Sequence, residues 1–317
     1  GCAELVRCIL LGASNTWFPI TLAALHVPTA TKKLEQIVER HWAKLEAVTS
    51  PEVLAAFRKI GQLTAFAEFS DNDLWQAIQK KRGAADGIAE TPASLKVAEW
   101  AAFSKPDPAR NTDDFRLREV AAPKGYEKIM ERVVLVERLR EVRALTGFTR
   151  IDSPGNFNDI DDIPKDRRAP ISRHAPLWVP ASEVRGEGIF IQFLEDAVAA
   201  WSKTQKDWEA AFRQAHREWR RARQIENPDA GFAGIRYVML HSFAHALMRQ
   251  IAMECGYTAA SIRERIYSVN PQDDDGPMAG VLIYTGAADS EGTLGGLVSL
   301  GEPATLGRLL DQTLEQV

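Results

Sequence analysis

His241 and His245 stand four residues apart in the run YVMLHSFAHALMRQ. On a helix that spacing puts both imidazoles on one face, where they can share a metal ion. A zinc hydrolase of the H-E-x-x-H kind also needs a glutamate after the first histidine to activate water. Ser242 occupies that position, which disfavours this chemistry. Together with Arg249, the histidines make a narrow polar stripe on a helix that is otherwise apolar, with Ile235, Val238, Leu240, Phe243, Leu247 and Ile251. Polar groups on such a helix must be satisfied internally, by carboxylates or backbone carbonyls. Asp289 and Glu291 could supply them, from the glycine-rich run DSEGTLGG that follows a strand at Val281–Tyr284. A turn of that composition can cradle phosphate with backbone N–H groups. It lacks the lysine of a P-loop, and no G-x-G-x-x-G is present. The cluster His241, His245, Arg249, Asp289 and Glu291 is therefore read as a polar network, with a metal site and a phosphodiester-type hydrolase as alternatives.

A second pattern lies between Trp201 and Arg223. At about 100° per residue, Trp201, Trp208, Phe212 and Trp219 fall within roughly 20° of one line, and Lys206, Arg213, Arg217 and Arg220 lie about 100–160° away. The aromatic side reads as core. The basic side is either a solvated face or a stripe that follows a phosphate backbone or an acidic partner, diluted by Glu209 and Glu218.

These residues need elements to position them. The predicted N-terminal region, residues 1–150, is mainly helical. Leu34, Ile37, Val38, His41, Trp42 and Leu45 recur at three- and four-residue steps. Ser50 and Pro51 make an N-cap and N1 pair, and Ser70 or Asp71 caps the next helix. An apolar run at 5–11 reads as a strand, as does Val133–Val136, whereas Glu137–Leu145 leans to helix. Residues 151–182, rich in proline and aspartate, form the connecting loop and domain boundary. Asp159, Asp161 and Asp162 there fit no EF-hand spacing. A mixed domain follows at 183–317. It has strands at 188–193, 262–269 and 281–284, helices at 195–226 and 235–254, a C-cap at Gly256, and a last helix opened by Pro303. The fold class is thus α+β, a helix-dominated first region followed by a small sheet packed by long helices.

With 317 residues, 45% of them hydrophobic and 26% charged, the chain can bury a full core without staples. Its net charge of -4 gives no global reason to bind nucleic acid. Three cysteines, Cys2, Cys8 and Cys255, include no C-x-x-C pair, which argues against a disulfide framework or a complete zinc site. They suit a reducing, cytoplasmic compartment. No signal peptide or bilayer-length apolar stretch is present. The chain starts at Gly1 and stops inside a helical pattern, so it is expected to be part of a longer protein.

LHSFAHALMRQIAMECGYTAASIRERIY at 240–267 and AGVLIYTGAADSEGTLGGLVSLG at 279–301 resemble the helicase-associated domain of the DrmB family of DISARM phage-defence systems. ILLGASNTWFPITLAALHVP at 9–28 and RGEGIFIQF at 185–193 resemble earlier blocks of the same family, in the same order. The resemblance implies a non-catalytic partner of a superfamily 2 helicase, DrmA, the pair engaging DNA to restrict phage genomes. The ATPase motor would lie in that partner. The domain type is also related to a zinc-binding module of bacterial repair helicases, whose ligands are clustered cysteines. This sequence has no such cluster, so no zinc ligand is carried over, no cofactor is expected within residues 1–317, and a zinc-binding cysteine cluster, where the parent protein has one, would lie in flanking segments. A protein scaffold that never touches DNA is the remaining alternative.

Overall fold

The structure is a computed structural model that describes residues 16–28, 34, 37–67, 69–85, 95–150, 163, 167–174, 176–223, 225, 227–256, 261–286 and 296–316. The strand expected at 5–11, and with it Cys2 and Cys8, lies outside them.

Among the described residues, seven strands make one antiparallel sheet: β1 (Trp17–Leu25), β2 (Arg116–Val120), β3 (Met130–Arg150), β4 (Arg168–Pro170), β5 (Ala181–Phe193), β6 (Ile262–Val269) and β7 (Met278–Thr285). Their order is β1-β3-β5-β7-β6, with β2 and β4 also on β3. The helices are α1 (Trp42–Leu45), α2 (Pro51–Lys59), α3 (Asp71–Ala85), α4 (Leu95–Ser104), α5 (Glu195–Thr204), α6 (Lys206–Ala222), α7 (Gly234–Cys255), α8 (Gly296–Leu300) and α9 (Pro303–Glu315). The α+β class expected from the sequence is what the chain adopts. Among the described residues, no helix is long and apolar enough to cross a membrane.

Continuous apolar runs in β3, β5 and β7 need cover on both faces, and both are covered. On one face Val133, Leu135, Ile189, Ile191, Val281 and Ile283 pack under α7, α8 and α9. On the other, Val134, Val136, Phe190, Leu282 and Tyr284 pack with Phe103 of α4, Phe115 and Tyr267. A third cluster, Leu34, Val38, Leu45, Leu54, Phe66, Leu74 and Ile78, fills the N-terminal helices. Ser50 caps α2, its Oγ accepting from Val53 N at 3.4 Å, with Pro51 at N1. Ser70 caps α3 in the same way. β5 runs close against β7 because Gly188 has no Cβ; a methyl there would lie 2.7 Å from Ile283 O.

Two expectations are corrected. Glu137–Leu145 is strand, not helix, and continues β3. Its alternating charges look amphipathic, but pairing decides: Glu141, Val142 and Arg143 face β1 partners on one side and β5 partners on the other. Nor does one helix run from Glu195 to Glu226. Gln205, at φ -104° and ψ 25°, separates α5 from α6. β1, β2 and β3 fall in the region expected to be mainly helical, and the β3–β5 pairing joins strands from either side of residues 151–182.

Candidate functional site

α7 places the histidines. Leu240, Ala244, Leu247 and Ile251 point into the core against the sheet, which turns His241 and His245 to its edge. The helix ends at Gly256, whose φ of 68° is the left-handed conformation that favours glycine at this position. At its other end Arg236 bonds the Glu195 carboxylate, its Nη1 donating to Oε1 at 2.6 Å, and Nη2 donates to Met278 O at 2.8 Å. This buried guanidinium fixes α7 against α5 and β7.

β6 is the edge strand beside them. Its period of two sends Ile262, Glu264 and Ile266 to the α7 face and Arg263, Arg265 and Tyr267 to the other. Glu264 thus enters the apolar face of the sheet directly below the histidines. His241 Nδ1 lies 2.7 Å from Glu264 Oε1, and His245 Nε2 lies 3.4 Å from the same oxygen. The two imidazole centroids are 4.5 Å apart, and the Tyr237 ring stacks on His241 at 5.6 Å and 13°. Burial, and then the Glu264 carboxylate, hold the Tyr237 phenol above its ordinary pKa. The histidine side chains are 42% and 57% exposed, so the pair is open to solvent and not sealed in the core. Beside it lies a pocket of about 460 Å³ lined by His245, Met248, Arg249, Ala252, Met253 and Ile262.

Of the residues singled out in the sequence, His241, His245 and Arg249 share this face. Asp289 and Glu291 lie outside the described residues. The carboxylate that reaches the histidines is Glu264, which sequence reasoning missed. The signal was the alternation Ile262-x-Glu264-x-Ile266, an acid placed among core-facing positions of a strand.

The basic stripe is distributed differently from its helical projection. Arg220 is buried, 4% exposed. Arg217 Nε donates to Asp229 Oδ1 at 2.5 Å. Arg213 bonds Glu209 at 3.2 Å and covers the Phe232 ring at 4.5 Å, and Lys206 is exposed. Of the aromatic line, only Trp219 packs inward, against Ile20 and Ile163; the other three residues are not core. Trp208 is 63% exposed, and Trp201 and Phe212 are also large exposed apolar residues. The break at Gln205 removes the single line, and α7 and α9 already cover the sheet. Trp201 borders an apolar groove of about 380 Å³, whose other walls include Ile129, Phe193, Val198, Met239 and Phe243.

Residues 243–317 match the family described as the MrfA Zn-binding domain. Over 99% of its length the chain is 31% identical to the DISARM protein DrmB of Bacillus paralicheniformis. It spans about half, 56%, of that relative's length. Zinc is implied by the first name, and the donor chemistry at α7 and β6 fits it. Two imidazoles and a carboxylate converge, their ligand atoms all within 4.8 Å of one another, and this is a set that zinc accepts. The resemblance read from the residues is borne out: along nearly all of its length, the chain is similar to the DISARM protein DrmB.

Proposed function

We propose that the chain is a non-catalytic binding module of an anti-phage defence complex of the DISARM kind. It docks on a superfamily 2 helicase and contributes to holding DNA, while the motor and its ATP chemistry reside in the partner. The observation that carries this reading is the match to DrmB, which runs through 99% of the chain.

The surface of α5 and α6 supports it. Trp201, Trp208 and Phe212 expose large rings, and Trp201 borders an apolar groove. Aromatic anchors with an adjoining apolar recess are what a protein interface uses for most of its affinity. Lys206, Arg213 and Arg217 lie on the same helix as Trp208 and Phe212, which suits a nucleic-acid strand passing the edge of such an interface.

The test is co-purification with a superfamily 2 helicase of the DrmA kind. Wild-type chain should form a stable complex with it. The Trp201→Ser, Trp208→Ser double variant should lose the complex while keeping the wild-type circular dichroism spectrum. Failure of folded wild-type chain to associate would overturn the docking reading.

A further inference from the structure

We propose that His241, His245 and Glu264 bind one divalent transition-metal ion, with zinc the best match, and that the ion ties α7 to the edge strand β6. This does not depend on the chain docking to a helicase. His241 precedes the segment that matches the zinc-binding family, and no cysteine enters the group.

The spacing of the donors is the first argument. Donors around a tetrahedral zinc ion, with bonds of about 2.0–2.1 Å, sit about 3.3 Å from one another. The Glu264 oxygen lies 2.7 Å from His241 Nδ1 and 3.4 Å from His245 Nε2. All three ligand atoms lie within 4.8 Å of one another, and a shift of the exposed His245 ring and of the carboxylate, with the His241 ring held in place, brings them to chelating distance.

The second argument is what the close pair lacks. His241 Nδ1 and Glu264 Oε1 approach closely, yet the contact is not aligned as a hydrogen bond. Nδ1 is buried with no hydrogen-bond partner among the described residues, and so is Glu264 Oε2. Buried polar atoms are normally satisfied. An imidazole nitrogen and a carboxylate that meet with no proton aligned between them, the second carboxylate oxygen also without a partner, have the arrangement a cation would complete.

The third argument is positional. Tyr237 fixes the His241 ring by stacking, and Ile262 and Ile266 flank Glu264 on its strand. Ring orientation is thus set before any ion arrives, which is what supporting residues do at metal sites. The donor set also selects the ion. Two imidazoles with one carboxylate favour zinc and its neighbours over calcium or magnesium, which prefer oxygen ligands throughout. Three protein donors leave a position open, and the pocket beside His245 gives it access to solvent. Ser242, standing where a water-activating glutamate would be, assigns no reaction to the site.

The experiment uses the full chain, stripped with a chelator and titrated with zinc by calorimetry, with cobalt(II) absorption as a second readout. One ion per chain is expected, with a cobalt spectrum of tetrahedral type and a melting temperature that rises on adding zinc. His245→Ala and Glu264→Gln should each weaken zinc binding by more than about tenfold and abolish the thermal shift. His245 is exposed, so its removal should leave the metal-free chain folded, as circular dichroism will report. No stoichiometric zinc binding by folded wild-type chain would overturn the proposal. So would unchanged binding in both variants, and so would binding lost only in Cys255→Ser.

Discussion

Glu99 is 2% exposed, beneath the sheet face opposite α7. Arg265 grips it with both arms, Nε to Oε2 at 2.5 Å and Nη2 to Oε1 at 2.7 Å. Tyr267 Oη donates to it at 2.9 Å, and Leu25 N donates at 3.4 Å. Burial raises the carboxyl pKa, and the Arg265 charge pulls against that rise. The folded chain therefore holds a proton on Glu99 more readily than the unfolded chain does. That titration favours folding below the ordinary carboxylate pKa, and the gain is lost as pH rises through the elevated value. Acid should not open this network through Glu99. Removing one partner is another matter, because it leaves the other charge buried alone. Arg265→Leu should cost about 3–5 kcal/mol of stability, and the double variant Glu99→Leu, Arg265→Leu should recover most of it. Urea unfolding of the four variants measures this. A double variant no more stable than Arg265→Leu would show that the network contributes more than it costs.

At the scale of elements, α6 is the helix on which the sequence and the structure part most. Reversing Lys206, Arg213 and Arg217 to glutamate, with buried Arg220 left in place, should weaken DNA binding by the complex. The slope of log affinity against log salt should shrink by up to about 0.9 for each phosphate that is no longer neutralised. Exposed ion pairs such as Arg213–Glu209 contribute about 1 kcal/mol at most, so melting should hardly move. Unchanged DNA affinity would leave these residues as a surface facing protein. The elements that were legible have local signals: the Ser50-Pro51 start of α2, the apolar runs of β5 and β7, and the Gly256 end of α7. The second half of β3 was not, because Glu141 looks solvent-facing in sequence. In the fold it is buried, with Tyr284 Oη donating to it at 2.8 Å and Arg143 Nε at 2.7 Å. Arg143 is its neighbour two residues along the same strand, but Tyr284 reaches it only through the tertiary arrangement of the sheet. Glu264 was hidden for the same reason: its meeting with His241 depends on how α7 crosses β6, and no residue near the histidines in sequence announces it.

In the whole molecule, β3 holds strands from distant parts of the chain together. It pairs with β1 and β2 before it in sequence and with β4 and β5 after it. Between β4 and β5, Leu177 and Trp178 stand exposed. Opening the peptide there would divide the polypeptide without dividing the sheet. Two co-expressed halves, residues 1–177 and 178–317, should assemble into one soluble heterodimer, whereas each expressed alone should aggregate on its unpaired strand edge. If either half is soluble and folded by itself, residues 151–182 separate true domains. If neither is, β3 sets the order of events at the ribosome. Its partner β5 emerges only after about 30 further residues, so the first half must wait as an unfinished edge, open to chaperones and to wrong neighbours until synthesis catches up.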